Sequence, residues 1–345
     1  MKKNKDLLSM EPTEIQGYIQ ALNVPAYRAK QLYSWILRAA PLQAMTNIPQ
    51  DVKDKVKSDE VYNLPNVVIK QVSPLDGTTK ILLELADRET VECVTMFHHD
   101  RISVCVSSQV GCRMGCKFCA STKGGLSRNL TSGEILAQVL IAKREANADI
   151  SNVVLMGIGE PLDNFDNVVA AIRLMCHQDG LNLSTRNVTL STCGLVDKID
   201  LLAKESLPIT LSVSLHTASD DIRSELMPVA RRWTVAELLA SCANYFRATG
   251  RRVTFEYTLF DKINDRDSDA YDLAEILRKF MPSMPLHVNL IPANEIPGQR
   301  YRPSSPARTQ KFSIILKQQG ISTTTRRSLG SDIDAACGQL RHSNK

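Results

Sequence analysis

Apolar residues recur at helical spacing through the first sixty positions. EPTEIQGYIQALNV (11–24) and PAYRAKQLYSWILRAA (25–40) place them at i, i+3, i+4 and i+7, with Pro25 near the start of the second run. IPQDVKDKVKSD (48–59) predicts a third, shorter helix. Strand-like sequence follows: NVVIKQVS (66–73), a turn at Asp76-Gly77, then TKILLELAD (79–87) and ETVECVTM (89–96). From about residue 101 the pattern changes to alternation. Strands are predicted at ISVCVSS (102–108), NVVLMGIG (152–159), NVTLSTCG (187–194), ITLSVSLH (209–216), RVTFEYTLF (252–260) and LHVNLIP (286–292). Helices are predicted between or after them at 133–146, 167–180, 234–250, 271–281 and 307–320. Apolar strands separated by helices argue for a parallel sheet.

Six such units suit either an open doubly wound sheet or a partial barrel. The placement of unusual residues favours the barrel, because β/α barrels gather active groups at the C-terminal ends of their strands. A cysteine loop follows the first strand, Gly-Glu-Pro the second, Ser191 and Cys193 end the third, His216 the fourth, and Asn294 follows the last. The expected fold class is therefore α/β, a partial (β/α)6 TIM-like barrel with a small N-terminal helical accessory domain. The expected divisions are 1–60 for that domain, 61–97 for a strand-rich connector and 98–345 for the core. A helical head of this kind serves either as a structural cap or as a substrate grip, and the sequence leaves both open.

Composition adds bounds. The 345 residues are 43% hydrophobic and 23% charged, as in a soluble globular protein, and the length suits one large domain plus a smaller one, or two of moderate size. No apolar run approaches the roughly 20 residues of a membrane helix, and the start MKKNKDLLSMEPTE has no apolar signal core. Nine cysteines, an odd number, in a chain without an export signal point to a reducing cytoplasm and to thiols kept for chemistry. A net charge of +5 permits a polyanionic partner without requiring one.

CRMGCKFC (112–119) concentrates three of those thiols, Cys112, Cys116 and Cys119, at spacing C-x3-C-x2-C. A chain this long needs no disulfide staples. Structural zinc sites take four ligands and often show two ligand pairs, whereas a second pair is missing here. Three soft thiolates suit an iron–sulfur cubane with one iron open to another ligand. A zinc knuckle completed by a distant His or Cys is the competing reading. Gly159 and Glu160 end the second strand, where glycine lets backbone approach a ligand and a carboxylate accepts from an ammonium group. Ser191, Ser214, His216 and Asn294 sit at further strand ends, where each could hydrogen-bond a ribose or adenine. Singly, each is as well explained by loop structure, and isolated cysteines such as Cys93, Cys176, Cys193 and Cys242 read as small buried hydrophobes.

Together, however, CVSSQVGCRMGCKFCAS, NVVLMGIGEPLDN, VTLSTCG, SLH, VNLIPAN and GSDIDAACGQL occur in an order that resembles the RlmN family. These are dual-specificity ribosomal and transfer RNA adenine-C2 methyltransferases of the radical S-adenosylmethionine (SAM) type, related to the adenine-C8 (Cfr) enzymes. The resemblance spans nearly the whole chain. It implies that Cys112, Cys116 and Cys119 hold a [4Fe-4S] cluster whose open iron chelates SAM. It implies that Gly159, Glu160, Ser191, Ser214, Leu215, His216 and Asn294 bind that cofactor. Two SAM molecules would serve each turnover, one methylating Cys337 and one giving the 5′-deoxyadenosyl radical that takes hydrogen from the S-methyl group. The carbon radical would add to adenine C2, Glu89 would accept the proton, and Cys105 would release the product through a transient disulfide with Cys337.

The resemblance also implies 23S rRNA as a partner (the adenine lies in the peptidyl transferase centre), with transfer RNA as a second substrate at the adenine 3′ to the anticodon. It implies a flavodoxin- or ferredoxin-type electron donor, a monomeric enzyme and a cytoplasmic location. Arg231-Arg232, Arg251-Arg252, Arg300, Arg302 and Arg326-Arg327 offer charge for phosphates. Two alternatives stand beside this reading: C8 methylation of the same ribosomal adenine, conferring antibiotic resistance, and a non-catalytic zinc-bearing RNA-binding module. C8 enzymes usually read Gly-Glu-Ala where this chain has Gly159-Glu160-Pro161, which favours C2.

Overall fold

A computed structural model describes residues 5–294, 301–335 and 339. Three short helices open the chain: α1 (Pro12–Ala21), α2 (Tyr27–Ile36) and α3 (Gln50–Ser58). Pro12 supplies a preset first turn for α1, and Glu11 and Glu14 close its backbone donors in a reciprocal box. Ile15 and Ile19, Leu32 and Ile36, and Val52 and Val56 are the buried rows, four residues apart on each helix. They belong to the same apolar core as the body of the protein.

Strands β1 (Asn66–Val72), β2 (Thr79–Glu84) and β3 (Thr90–Phe97) run antiparallel. β3 pairs antiparallel with β4 (Ile102–Cys105), so these strands extend the sheet of the body. β4 is the first of the parallel strands. A two-stranded hairpin, β5 (Gln109–Gly111) with β6 (Leu126–Asn129), then encloses the cysteine loop and leads into α4 (Ser132–Ala146). The rest alternates: β7 (Asn152–Leu155), α5 (Phe165–Cys176), β8 (Val188–Thr192), α6 (Val196–Leu202), β9 (Thr210–Ser214), α7 (Asp220–Leu226), α8 (Val235–Thr249), β10 (Val253–Leu259), α9 (Asp267–Phe280), β11 (His287–Pro292), α10 (Pro306–Gln318) and β12 (Ser322–Thr325).

The main sheet has the order β1-β2-β3-β4-β7-β8-β9-β10-β11-β12, parallel from β4 onward and open between β1 and β12. This is the expected partial barrel, with six βα strands and a seventh parallel strand, β12, at the edge. β12 reads STTT and exposes much of itself, so it has no apolar pattern to announce it. Strand alternation sorts the two faces of the sheet. Leu190, Leu211, Val213, Phe255, Tyr257, Val288 and Leu290 join the apolar core. Their neighbours Thr189, Ser191, Ser212, Ser214, Glu256 and Asn289 take the opposite, polar face.

Candidate active site

The three cysteines line one cavity of about 1100 Å³, open mouth included, at the C-terminal ends of the parallel strands. Gly111 (φ +76°) makes the loop's entry possible, since a Cβ there would lie 2.0 Å from the Gly125 carbonyl oxygen. The Cys112 amide donates to that same oxygen at 2.8 Å, and the Lys117 amide donates to Leu226 at 2.9 Å. Met114, Cys116 and Phe118 pack on a small apolar cluster containing Leu226, Met227, Phe260 and Tyr301. Phe118 meets His216 edge-on with ring centres 4.9 Å apart.

Burial pushes the Cys112 thiol up to about 12, so a nearby cation is needed to hold it as thiolate at neutral pH. Among the described residues no three His, Cys, Asp or Glu side chains are placed to hold one metal ion together. A cubane does not ask for that convergence, because each of its three thiolates binds a different iron. The donor set is soft, confined to one loop and faces the cavity, which fits a cluster.

Glu160 is 4% exposed and lines the same cavity. Its carboxylate accepts from the amides of Leu162 at 3.0 Å and Cys193 at 2.8 Å, and burial raises its carboxyl above the usual range. Gly157 and Gly159 line the cavity, and close packing gives both glycines a reason beyond the expected approach to a ligand. A Cβ on Gly157 would lie 2.7 Å from the Val106 carbonyl oxygen, and one on Gly159 (φ +106°) would lie 2.6 Å from Gln109 Cβ. They let the end of β7 pack against the segment after β4.

Ser191, Ser214, His216 and Asn294 line the cavity too. Leu215 is fully buried and is not among the lining residues; its amide donates to the Glu256 backbone carbonyl at 3.1 Å. His216 sits at φ +63°, and its Nδ1 accepts from the Thr258 amide at 2.9 Å. Burial, with Arg223 adding to it, brings the imidazole down to about 3, so the ring is neutral and carries its proton on Nε2. Fully buried Arg223 donates to the carbonyls of Cys193 at 2.7 Å and Ser214 at 3.2 Å, tying the ends of β8 and β9 together.

A second cavity, about 590 Å³, adjoins the first and shares Met156, Ile291, Asn294 and Arg326 with it. Cys105 lines it, as do Val94, Met96, Arg327 and Ala335. Cys337 lies outside the described residues. The chain two residues before it is described: Ala335 shares an apolar cluster with Val94, and Cys105 and Ile333 pack on that cluster.

Glu89 is not in this company. It lies in the turn before β3, lines neither cavity, and accepts from the Ser127 hydroxyl at 2.7 Å. The carboxylate on the Cys105 face of β3 is Glu92, since strand alternation places 92, 94 and 96 on one face and Val94 pairs with Cys105. Glu92 is 8% exposed and pairs with Lys80 at 3.4 Å. Sequence reasoning passes over Glu256 and reads Arg326 only as charge for phosphates, whereas both line the first cavity and pair at 3.6 Å. A charge inside the buried run VTFEYTL was the available signal for Glu256.

A partial parallel barrel with a three-cysteine loop at the mouth of its first strand defines the radical SAM class. Residues 106–274 match the Radical SAM superfamily, and residues 5–61 match the ribosomal RNA large subunit methyltransferase N-terminal domain. A probable dual-specificity RNA methyltransferase RlmN from Clostridium novyi is 47% identical over 98% of both chains. One of the same description from Clostridium perfringens is 44% identical over 98% of this chain and 97% of its own. The crystal structure of a radical SAM methyltransferase from Sphaerobacter thermophilus superposes with a TM-score of 0.93 at 42% identity, covering 99% of this chain and 100% of that one. The chain belongs to the RlmN family of radical SAM RNA methyltransferases. Membership implies a [4Fe-4S] cluster and SAM as cofactors.

Proposed function

We propose that this enzyme methylates C2 of adenine in 23S rRNA and in transfer RNA, carrying the methyl group on Cys337 and releasing product through Cys105. The observation that carries this reading is the pair of adjoining cavities. One gathers the cysteine loop, Glu160, Ser191, Ser214, His216 and Asn294. The other holds Cys105 beside the segment that leads to Cys337.

When bound, the cluster and SAM supply methyl transfer and one-electron chemistry, with two SAM molecules per turnover and electrons from a flavodoxin- or ferredoxin-type donor. The chain's own residues divide the remaining work. Cys112, Cys116 and Cys119 hold the cluster. Glu160 accepts from the cofactor's ammonium group, and neutral His216 offers its Nε2 proton to the nucleoside. Asn294, common to both cavities, meets whatever passes between them. Cys105 attacks the Cys337 sulfur and displaces the methylene carbon, so that an S–S bond replaces the S–C bond. The carbon takes up a proton as the methylated base leaves, and an external thiol then reduces the disulfide. Proton abstraction from the adduct falls to Glu92, on the face that carries Cys105, in place of Glu89. The target adenine leaves its stack to enter, at a cost of roughly a few kcal/mol.

Mass spectrometry of RNA treated with the reconstituted enzyme should find 2-methyladenosine, and Cys105→Ala should accumulate RNA covalently attached at Cys337. Cys337→Ala should give neither product nor adduct. Dominant 8-methyladenosine would show that Pro161, which lines the cavity, does not report the choice of carbon. A folded, cluster-loaded Cys105→Ala protein without adduct would remove Cys105 from its role.

A further inference from the structure

The turn between β1 and β2 grips a stretch of chain some 250 residues away. Asp76 Oδ2 accepts from the Gly330 amide at 2.9 Å. Ser73, only 1% exposed, donates its hydroxyl to Asp332 Oδ1 at 2.8 Å. Lys80 Nζ donates to the Asp334 carbonyl at 3.4 Å. Gly330 (φ +63°) is packed so closely that a Cβ there would lie 2.8 Å from both Thr78 Cγ2 and Ala335 Cβ. The segment also folds on itself, with the Ala335 amide donating to the Gly330 carbonyl at 2.9 Å. Ala335 and Ile333 then meet the apolar cluster on which Cys105 packs.

These contacts fix the chain up to two residues short of Cys337. We propose that the β1–β2 turn is a clasp that positions the carrier cysteine, with Ser73, Asp76 and Lys80 as its positioning residues. The proposal rests on Cys337 being the methyl carrier and assigns a task to a hairpin none of whose residues lines either cavity. Two thiols exchange only when their sulfurs meet, and holding one partner's segment raises its effective concentration at the other. Lys80 extends the arrangement, since it also pairs with Glu92 at 3.4 Å.

The test reads thiol proximity directly. Diamide takes the two electrons and two protons released as Cys105 and Cys337 form a disulfide, and the rate is followed by peptide mass spectrometry in the full-length, cluster-loaded protein. Asp76→Ala should slow disulfide formation on the order of 10-fold, the effect of losing a charge-assisted hydrogen bond that holds one partner. Asp76→Asn, which keeps an acceptor for the Gly330 amide, should recover most of the rate. Ser73→Ala serves as a second variant should Asp76→Ala fold poorly. Iron content and cofactor cleavage without RNA should stay at the wild-type level. A wild-type disulfide rate in both Ala variants would overturn the clasp, as would a slowing that merely tracks loss of cluster. Absence of S-methylation on Cys337 in the wild-type protein would instead bring down the carrier reading beneath it.

Discussion

At the residue scale, the site is built by side chains that are missing as much as by those present. Gly157 has an ordinary backbone conformation, yet a Cβ there would sit 2.7 Å from one backbone atom and 2.8 Å from another. Backbone cannot swing aside as a flexible side chain can. Gly157→Ala should therefore cost about 1–3 kcal/mol of stability and weaken SAM binding, readable by thermal melting and by calorimetry. His216 shows the complementary case of a group buried in its neutral form. Its folded-state value of about 3 lies below the ordinary 6.5. The unfolded chain thus binds the proton first, and stability is lost as pH falls from about 6.5 toward 3. The slope attributable to this ring reaches about 1.4 kcal/mol per pH unit. Denaturant melts of apo protein between pH 5 and pH 7 should show a shallower acid loss in His216→Asn than in wild type.

At the scale of elements, strand period decides which carboxylate shares a face with Cys105. RETVECV offers Glu89 and Glu92, and the sequence by itself does not say which shares a face with Cys105. The pairing of Val94 with Cys105 answers it, because residues two apart on β3 point the same way. Glu92→Gln should lower RNA methylation by about 10²- to 10⁴-fold, the range for removing a general base, while leaving S-methylation of Cys337 intact. Glu89→Gln should stay near wild type, since residue 89 lies outside β3, in the turn before it. Single-turnover assays would separate these outcomes, and equal losses in both variants would return the role to neither.

Strand and helix periodicity also decides what is legible in the chain before its structure is known. The six barrel strands are readable because each has apolar core residues in a run bounded by turns, and the cysteine loop because spacing alone restricts its ligand chemistry. β12 is polar and at the edge, and α6 and α7 are only seven residues each, so none of them carries a periodic signature. The second cavity is assembled from β3, β4, β7, β11 and the segment after β12, and sequence order does not reveal such a meeting.

At the scale of the whole molecule, the question is whether the helical head is a separable grip or part of the barrel's own core. The structure favours integration. Ile15, Ile19, Leu32, Ile36, Val52 and Val56 belong to the same apolar core as Leu136, Val139 and Leu140 of α4. The Gly133 amide at the start of α4 donates to Ser9 Oγ at 2.8 Å, and a Cβ on Gly133 would lie 2.6 Å from that same atom. Arg144 near the other end of α4 reaches the Ala39 carbonyl at 2.9 Å. A head released from α4 would expose apolar surface on both partners, so neither unfolds without cost to the other. The chain carries its own reporters, because its two tryptophans fall one in each part, Trp35 on α2 and Trp233 before α8. Both are partly buried, and each changes environment when its surroundings unfold. Trp233→Phe leaves fluorescence to the head and Trp35→Phe leaves it to the barrel. Urea titrations of the two variants, each corrected for its own stability by circular dichroism, should give coincident midpoints. A head that melts at clearly lower urea than the barrel would mean that these contacts only rest one module on another, and that the head is free to move when RNA binds.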